Sequence, residues 1–174
     1  WLMDRDLNGG GAAIDFCSYG AVISRWFMGQ PSRVTGVGGR YVREHMTVED
    51  NAVMVLSYPR GHSICEGTWS QPATPTPLPI LIYGSEGTIA IPPNQNREVL
   101  VGMGDGPWKQ TVETVVAPDL PAHFASGPAY FAHCLKNGLP FEGIVSPAIS
   151  RDAQEILQAG LRAMETGASV SLPL

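Results

Sequence analysis

The sequence predicts an α+β fold, a large, mostly antiparallel sheet with helices on one face. Three observations predict it. A helical segment comes first, strand-like sequence then runs from residue 33 to residue 116, and two further helical segments follow. The breaks between strand candidates are short: Pro59-Arg60-Gly61 and Gly84-Ser85-Glu86-Gly87 each read as a hairpin turn. The order lacks the alternation of strand and helix that a doubly wound parallel domain requires.

The first helix is expected over residues 11–27. Ala13, Phe16, Cys17, Gly20, Ile23 and Phe27 recur at helical spacing and form its expected buried stripe, and Gly29 and Pro31 stop it. Strands are expected at 33–42, 51–58, 62–70, 78–83, 88–91, 98–101 and 110–116. Residues 71–79 contain four prolines and read as a loop. The second helix is expected over 128–137, with Ser126 as cap, Pro128 in the first turn and Gly138 after its end. The third is expected over 147–165, with Ser146 as N-cap. Its stripe is Ala153, Ile156, Leu157, Gly160 and Met164, and Gly167 ends it. Residues 169–172 can add a short edge strand.

The strand at 51–58 is apolar on both faces: Ala52, Met54, Leu56 and Tyr58 on one, Val53 and Val55 on the other. The strand at 78–83 behaves likewise. A sheet with one wet face alternates more cleanly, so the second face is expected to be covered by another copy of the chain, as a homo-oligomer; the bland alternative is cover by loops and the proline segment.

Bulk properties narrow the function. The 174 residues suffice for one compact domain with a core. Hydrophobic residues make up 44% and charged residues 16%, a globular balance. A net charge of −5 lacks the basic face that nucleic-acid binding needs. No apolar stretch approaches the roughly 20 residues of a transmembrane helix, so neither nucleic acid nor membrane is an expected partner. The three cysteines, Cys17, Cys65 and Cys134, are widely spaced and odd in number, which points to reduced thiols and a cytoplasmic setting. The chain begins at Trp1 and reads like the middle of a longer product.

The most informative segment is Gly9-Gly10-Gly11-Ala12-Ala13-Ile14-Asp15-Phe16-Cys17-Ser18-Tyr19. Asp15 and Tyr19 lie four apart, so on a helix they share one face, with Cβ atoms about 5–6 Å apart. Both can handle protons. Three consecutive glycines cost backbone entropy and leave the backbone open to close approach, so Gly10 and Gly11 join Asp15 and Tyr19 as candidate substrate contacts. The bland alternatives are an acid that offsets the helix dipole and a half-buried core phenol. His45, His62, His123 and His133 lack metal-ligand spacing, and no metal is expected. Of the four, His45, beside Glu44, Glu49 and Asp50, is the best placed to reach a site. Cys17 reads as a small core residue, and Trp26, Trp69 and Trp108 as packing residues. Arg40 and Arg43, flanking Tyr41, read as a solvated edge, the alternative being contact with an anionic or polyol substrate. Gly36-Val37-Gly38-Gly39 and Gly102-Met103-Gly104 do not open helices and are rejected as nucleotide fingerprints.

Gly9 to Tyr19, followed by Arg25-Trp26-Phe27-Met28-Gly29-Gln30-Pro31, resembles the start of the C-terminal domain of the glucose-fructose oxidoreductase/inositol dehydrogenase/rhizopine-catabolism family. Asp50-Asn51-Ala52, Ile82-Tyr83-Gly84-Ser85-Glu86-Gly87-Thr88, Asn137-Gly138-Leu139-Pro140, Arg151-Asp152-Ala153-Gln154-Glu155-Ile156 and Thr166-Gly167-Ala168-Ser169-Val170-Ser171-Leu172-Pro173 are similar to that domain's later landmarks. The resemblance implies a substrate-binding and oligomerisation domain of an oxidoreductase that uses NAD or NADP on a sugar, a polyol or a related hydroxyl or carbonyl compound. It implies that Asp15 and Tyr19 are catalytic and contact the hydroxyl being oxidised. It also implies a Rossmann domain with GxGxxG and a Glu-Lys-Pro lysine that would share proton transfer with Tyr19. Neither motif occurs here: the lysines are Lys109 and Lys136. The chain therefore reads as a single C-terminal domain spanning 1–174, inactive alone. The alternative is a stand-alone, non-catalytic sugar-binding or scaffolding domain.

Overall fold

The structure, a computed structural model, describes residues 1–73, 80–92, 97–104 and 109–174. In chain order its elements are α1 (Arg5–Asn8), α2 (Ala12–Met28), β1 (Arg33–Gly39), β2 (Asn51–Tyr58), β3 (Gly61–Thr68), β4 (Ile80–Tyr83), β5 (Gly87–Ile91), β6 (Glu98–Gly104), β7 (Gln110–Val116), α3 (Gly127–Asn137), α4 (Pro147–Thr166) and β8 (Val170–Ser171). The fold is α+β, as the sequence predicts, and every described strand pair is antiparallel. The ladders fall into two four-stranded sheets, β3-β2-β1-β8 and β4-β5-β6-β7. Four prolines without N–H donors separate the residues of β3 from those of β4 in the sequence. The chain divides into two compact units, residues 1–71 with 134–174, and residues 72–133.

In the first unit, α2 and α4 pack on one face of β3-β2-β1-β8. The core joins Val34, Met54 and Leu56 of the sheet to Ile156 and Leu157 of α4 and to Ala13, Cys17 and Ala21 of α2. The α2 stripe departs from expectation. Ala13, Cys17, Ala21 and Ser24 face inward, whereas Phe16 and Phe27 are 44% and 52% exposed. The cause is close packing: a Cβ on Gly20 would lie 2.7 Å from Cys65 Sγ, and one on Gly67 would lie 2.5 Å from the Ala12 carbonyl oxygen. Only small side chains fit between α2 and β3, so the aromatic ones turn outward.

The α4 stripe holds better. Ala153, Ile156, Leu157 and Gly160 are buried, and Met164 packs at the margin. Ser146 Oγ accepts from Ile149 N at 3.3 Å as the N-cap, and Gly167 ends the helix at φ 68°. The short α1 has no counterpart in the sequence reading. Asp4 caps it by accepting from Asp6 N, and Gly9 closes it at φ 78°, which gives the first glycine of the triplet a conformational reason.

Both expected hairpins form: Tyr58 faces Gly61 across the first, and Tyr83 faces Thr88 across the second. In the second unit, β6 runs on to Gly104, and β7 is exposed along its length. Ser126 Oγ accepts from Ala129 N at 3.3 Å at the start of α3, and Gly138 follows α3 at φ 62°. Leu78, Trp108 and most of the proline-rich segment lie outside the described residues.

Candidate functional site

The site is built where α2 begins, and Glu49 sets its position. A helix start leaves N–H groups without intrahelical partners. Here Glu49 Oε1 accepts from Gly11 N at 2.7 Å and from Ala13 N at 3.1 Å, while the Glu49 carbonyl accepts from Ala12 N at 3.0 Å. Glu49 is buried, as are Gly10 and Gly11. A Cβ on Gly11 would lie 2.1 Å from the Glu49 carbonyl oxygen, so Gly11 is required by contact with the protein's own backbone. Gly10 and Gly11 therefore line a sealed junction, and the structure gives them a packing role.

Asp50 fixes the adjoining loop. It is fully buried, and its carboxylate accepts from Tyr41 N at 2.9 Å, Val42 N at 2.8 Å and Arg43 N at 2.7 Å, and from Asn51 Nδ2 at 2.8 Å. These bonds turn residues 41–43 off the ladder, so β1 ends at Gly39 rather than at the expected residue 42. Burial acts to raise the Asp50 pKa, but the three backbone donors and Asn51 outweigh it and hold the carboxyl well below the usual carboxylate range.

Asp15 and Tyr19 stand on the exposed side of α2, as their spacing predicts, with Tyr19 66% exposed. Glu49 already occupies the first-turn donors, so Asp15 does not act as the cap. Its Oδ2 instead accepts from Trp69 Nε1 at 2.8 Å. Trp69, expected only to pack, thus reaches the candidate acid. Its backbone N donates to the Asp50 carbonyl at 2.8 Å, and its carbonyl accepts from Arg43 Nε at 2.9 Å.

Sequence reading missed the roles of Glu49, Asp50 and Trp69. The side-chain partners of Glu49 and Trp69 lie far away in the chain, and the carboxylate of Asp50 meets the loop 41–43 only once β1 and β2 have paired. Arg40 is exposed, as a solvated edge group would be, and donates to the Met46 carbonyl, whereas Arg43 is partly buried and donates to the Trp69 carbonyl. His45 meets Met3 Sδ at 3.3 Å, and His62 lies on β3. His123 and His133 stack with ring centroids 4.1 Å apart in the second unit. Among the described residues, no three His, Cys, Asp or Glu side chains converge as a metal site would require. Trp26 is half exposed rather than packed. Cys17 is a core residue as expected, and burial pushes its thiol up to about 12; burial likewise raises Cys65 to about 11. No described helix is long and apolar enough to cross a membrane.

The first unit is thus a two-layer arrangement of helices on an antiparallel sheet, with Asp15 and Tyr19 exposed on the helix that the glycines lead into. Comparison makes this specific. Residues 1–90 match the family described as the GFO/IDH/MocA C-terminal domain, and the chain belongs to that family. The fold is similar to levoglucosan dehydrogenase in complex with NADH and levoglucosan (TM-score 0.78, 18% identity, 100% of this chain and 53% of that one). It is also similar to an NAD-binding oxidoreductase from Klebsiella pneumoniae (TM-score 0.80, 15% identity, 100% and 54%). A third relative is an oxidoreductase from Agrobacterium radiobacter in complex with NAD+, L-tartaric acid and magnesium (TM-score 0.68, 21% identity, 98% and 51%). The chain spans about half the length of these structures. No protein of curated function matches the sequence.

The residues at the start of α2 do not fit a dinucleotide. A pyrophosphate binds a helix N-terminus through its N–H groups. Here the Gly11 and Ala13 groups are taken by a carboxylate whose charge would repel phosphate.

The Asp50 cluster yields a pH prediction. A folded-state pKa below the unfolded one adds stability that is complete above the unfolded value of about 4 and is lost as pH falls through the folded value. Asp50→Asn is expected to lower stability at neutral pH by about 2–4 kcal/mol. It should also lose less stability than the parent between about pH 5 and about pH 2. Urea denaturation across that range checks this, and equal acid sensitivity in the two proteins would contradict it.

Proposed function

We propose that this chain is the substrate-binding and oligomerisation half of a nicotinamide-dependent oxidoreductase acting on a sugar, a polyol or a related hydroxyl or carbonyl compound. The observation that carries this reading is the exposed Asp15 carboxylate, held by Trp69 on the same helix face as the exposed Tyr19 phenol. Asp15 accepts a hydrogen bond from a substrate hydroxyl, and Tyr19 exchanges a proton with the reacting oxygen. The cofactor, NAD or NADP, is held by a separate nucleotide-binding domain. Family membership and the NAD-bound and NADH-bound relatives support this division.

The outward face of the first sheet supports self-association. Val37 pairs with Val53 and Val55 with Ile64 across the ladders, and Val37 and Ile64 are 66% and 63% exposed. A second copy covering these four side chains would remove a contiguous apolar patch from water.

Two measurements follow. In the two-domain enzyme, Tyr19→Phe and Asp15→Asn are each expected to lower kcat by about 100-fold or more with little change in cofactor KM. The isolated 174-residue chain should transfer no hydride. Unchanged kcat in either variant would remove that residue from the mechanism. In sedimentation velocity at micromolar concentration, the chain is expected to run as an oligomer that Ile64→Glu converts to monomer. A monomer in both cases would contradict the sheet-face interface.

A further inference from the structure

We propose that Trp69 is a positioning residue for Asp15: its indole N–H commits one carboxylate oxygen, so that the other is presented to a neutral substrate hydroxyl. The inference rests on the reading of Asp15 given above. Asp15 is an exposed side chain on a helix, and such a group is ordinarily spread over several rotamers. Here Oδ2 accepts from Trp69 Nε1 at 2.8 Å, while Oδ1 takes no protein donor among the described residues.

The indole projects from a main chain that is held on both sides. Trp69 N donates to the Asp50 carbonyl, and the Trp69 carbonyl accepts from Arg43 Nε. Asp50 is itself fully buried and bonded to three backbone N–H groups. The main chain that carries the indole is therefore fixed from the interior rather than from the helix that carries Asp15. An indole N–H can only donate. It cannot compete with Asp15 as an acceptor.

Two readouts test the proposal. In the 174-residue chain, NMR exchange of the Trp69 indole proton with solvent is expected to be at least about tenfold faster in Asp15→Ala. The indoles of Trp1, Trp26 and Trp108 should be unchanged. In the two-domain enzyme, Trp69→Phe, which keeps a ring and removes the donor, is expected to lower kcat about tenfold with cofactor KM unchanged. Equal indole exchange in the parent and Asp15→Ala, or full kcat in Trp69→Phe, would overturn the role of Trp69. Full kcat in Asp15→Ala would instead overturn the reading of the site on which it rests, whatever the indole does.

Discussion

Glu49, buried against the first turn of α2, is the contact on which the first unit's candidate site depends. Its carboxylate supplies the acceptor that Gly11 and Ala13 need, and its carbonyl supplies the one for Ala12. A buried carboxylate is costly unless it is hydrogen-bonded, and a helix N-terminus provides both donors and a favourable dipole. The pairing fixes where α2 starts. It also requires glycine at position 11, where any Cβ would strike the Glu49 backbone. Asp50, the next residue, performs the same service for residues 41–43. Two adjacent acids thereby join α2, the loop after β1 and the end of β3, where Asp50 also holds Trp69.

Packing determines what the opposite face of α2 can carry. Its inner side consists of Ala13, Cys17, Ala21 and Ser24, because Gly20 and Gly67 bring helix and sheet into near backbone contact. Close approach buries the small side chains completely and leaves the large ones outside. Phe16, Tyr19, Trp26 and Phe27 are consequently exposed on the side that also bears Asp15. Ligand sites in general combine such aromatic surface with a few hydrogen-bonding groups.

Much of the fold was legible because its signals are local. The α4 cap, stripe and terminator lie within one helix, and the turns at Pro59-Arg60-Gly61 and Gly84-Ser85-Glu86-Gly87 announce their own hairpins. The shared face of Asp15 and Tyr19 is legible for the same reason, as an i, i+4 spacing. The α2 stripe was misjudged because hydrophobicity ranks Phe16 above Ala21, while the distance between helix and sheet admits only the smaller residue. Gly10 and Gly11 were read as open backbone because their partner Glu49 is almost forty residues away in the chain. Trp69 was read as packing because an indole gives no sequence sign of the carboxylate it will meet.

The most direct test of the account is a titration of the isotopically labelled 174-residue chain, monitored by amide and indole NMR signals, with levoglucosan as a neutral polyhydroxyl probe and then with NADH. The account expects saturable shifts from levoglucosan centred on Asp15, Tyr19 and the Trp69 indole, and none from NADH. Saturable binding of NADH at the start of α2, or levoglucosan shifts confined to other parts of the chain, would contradict it.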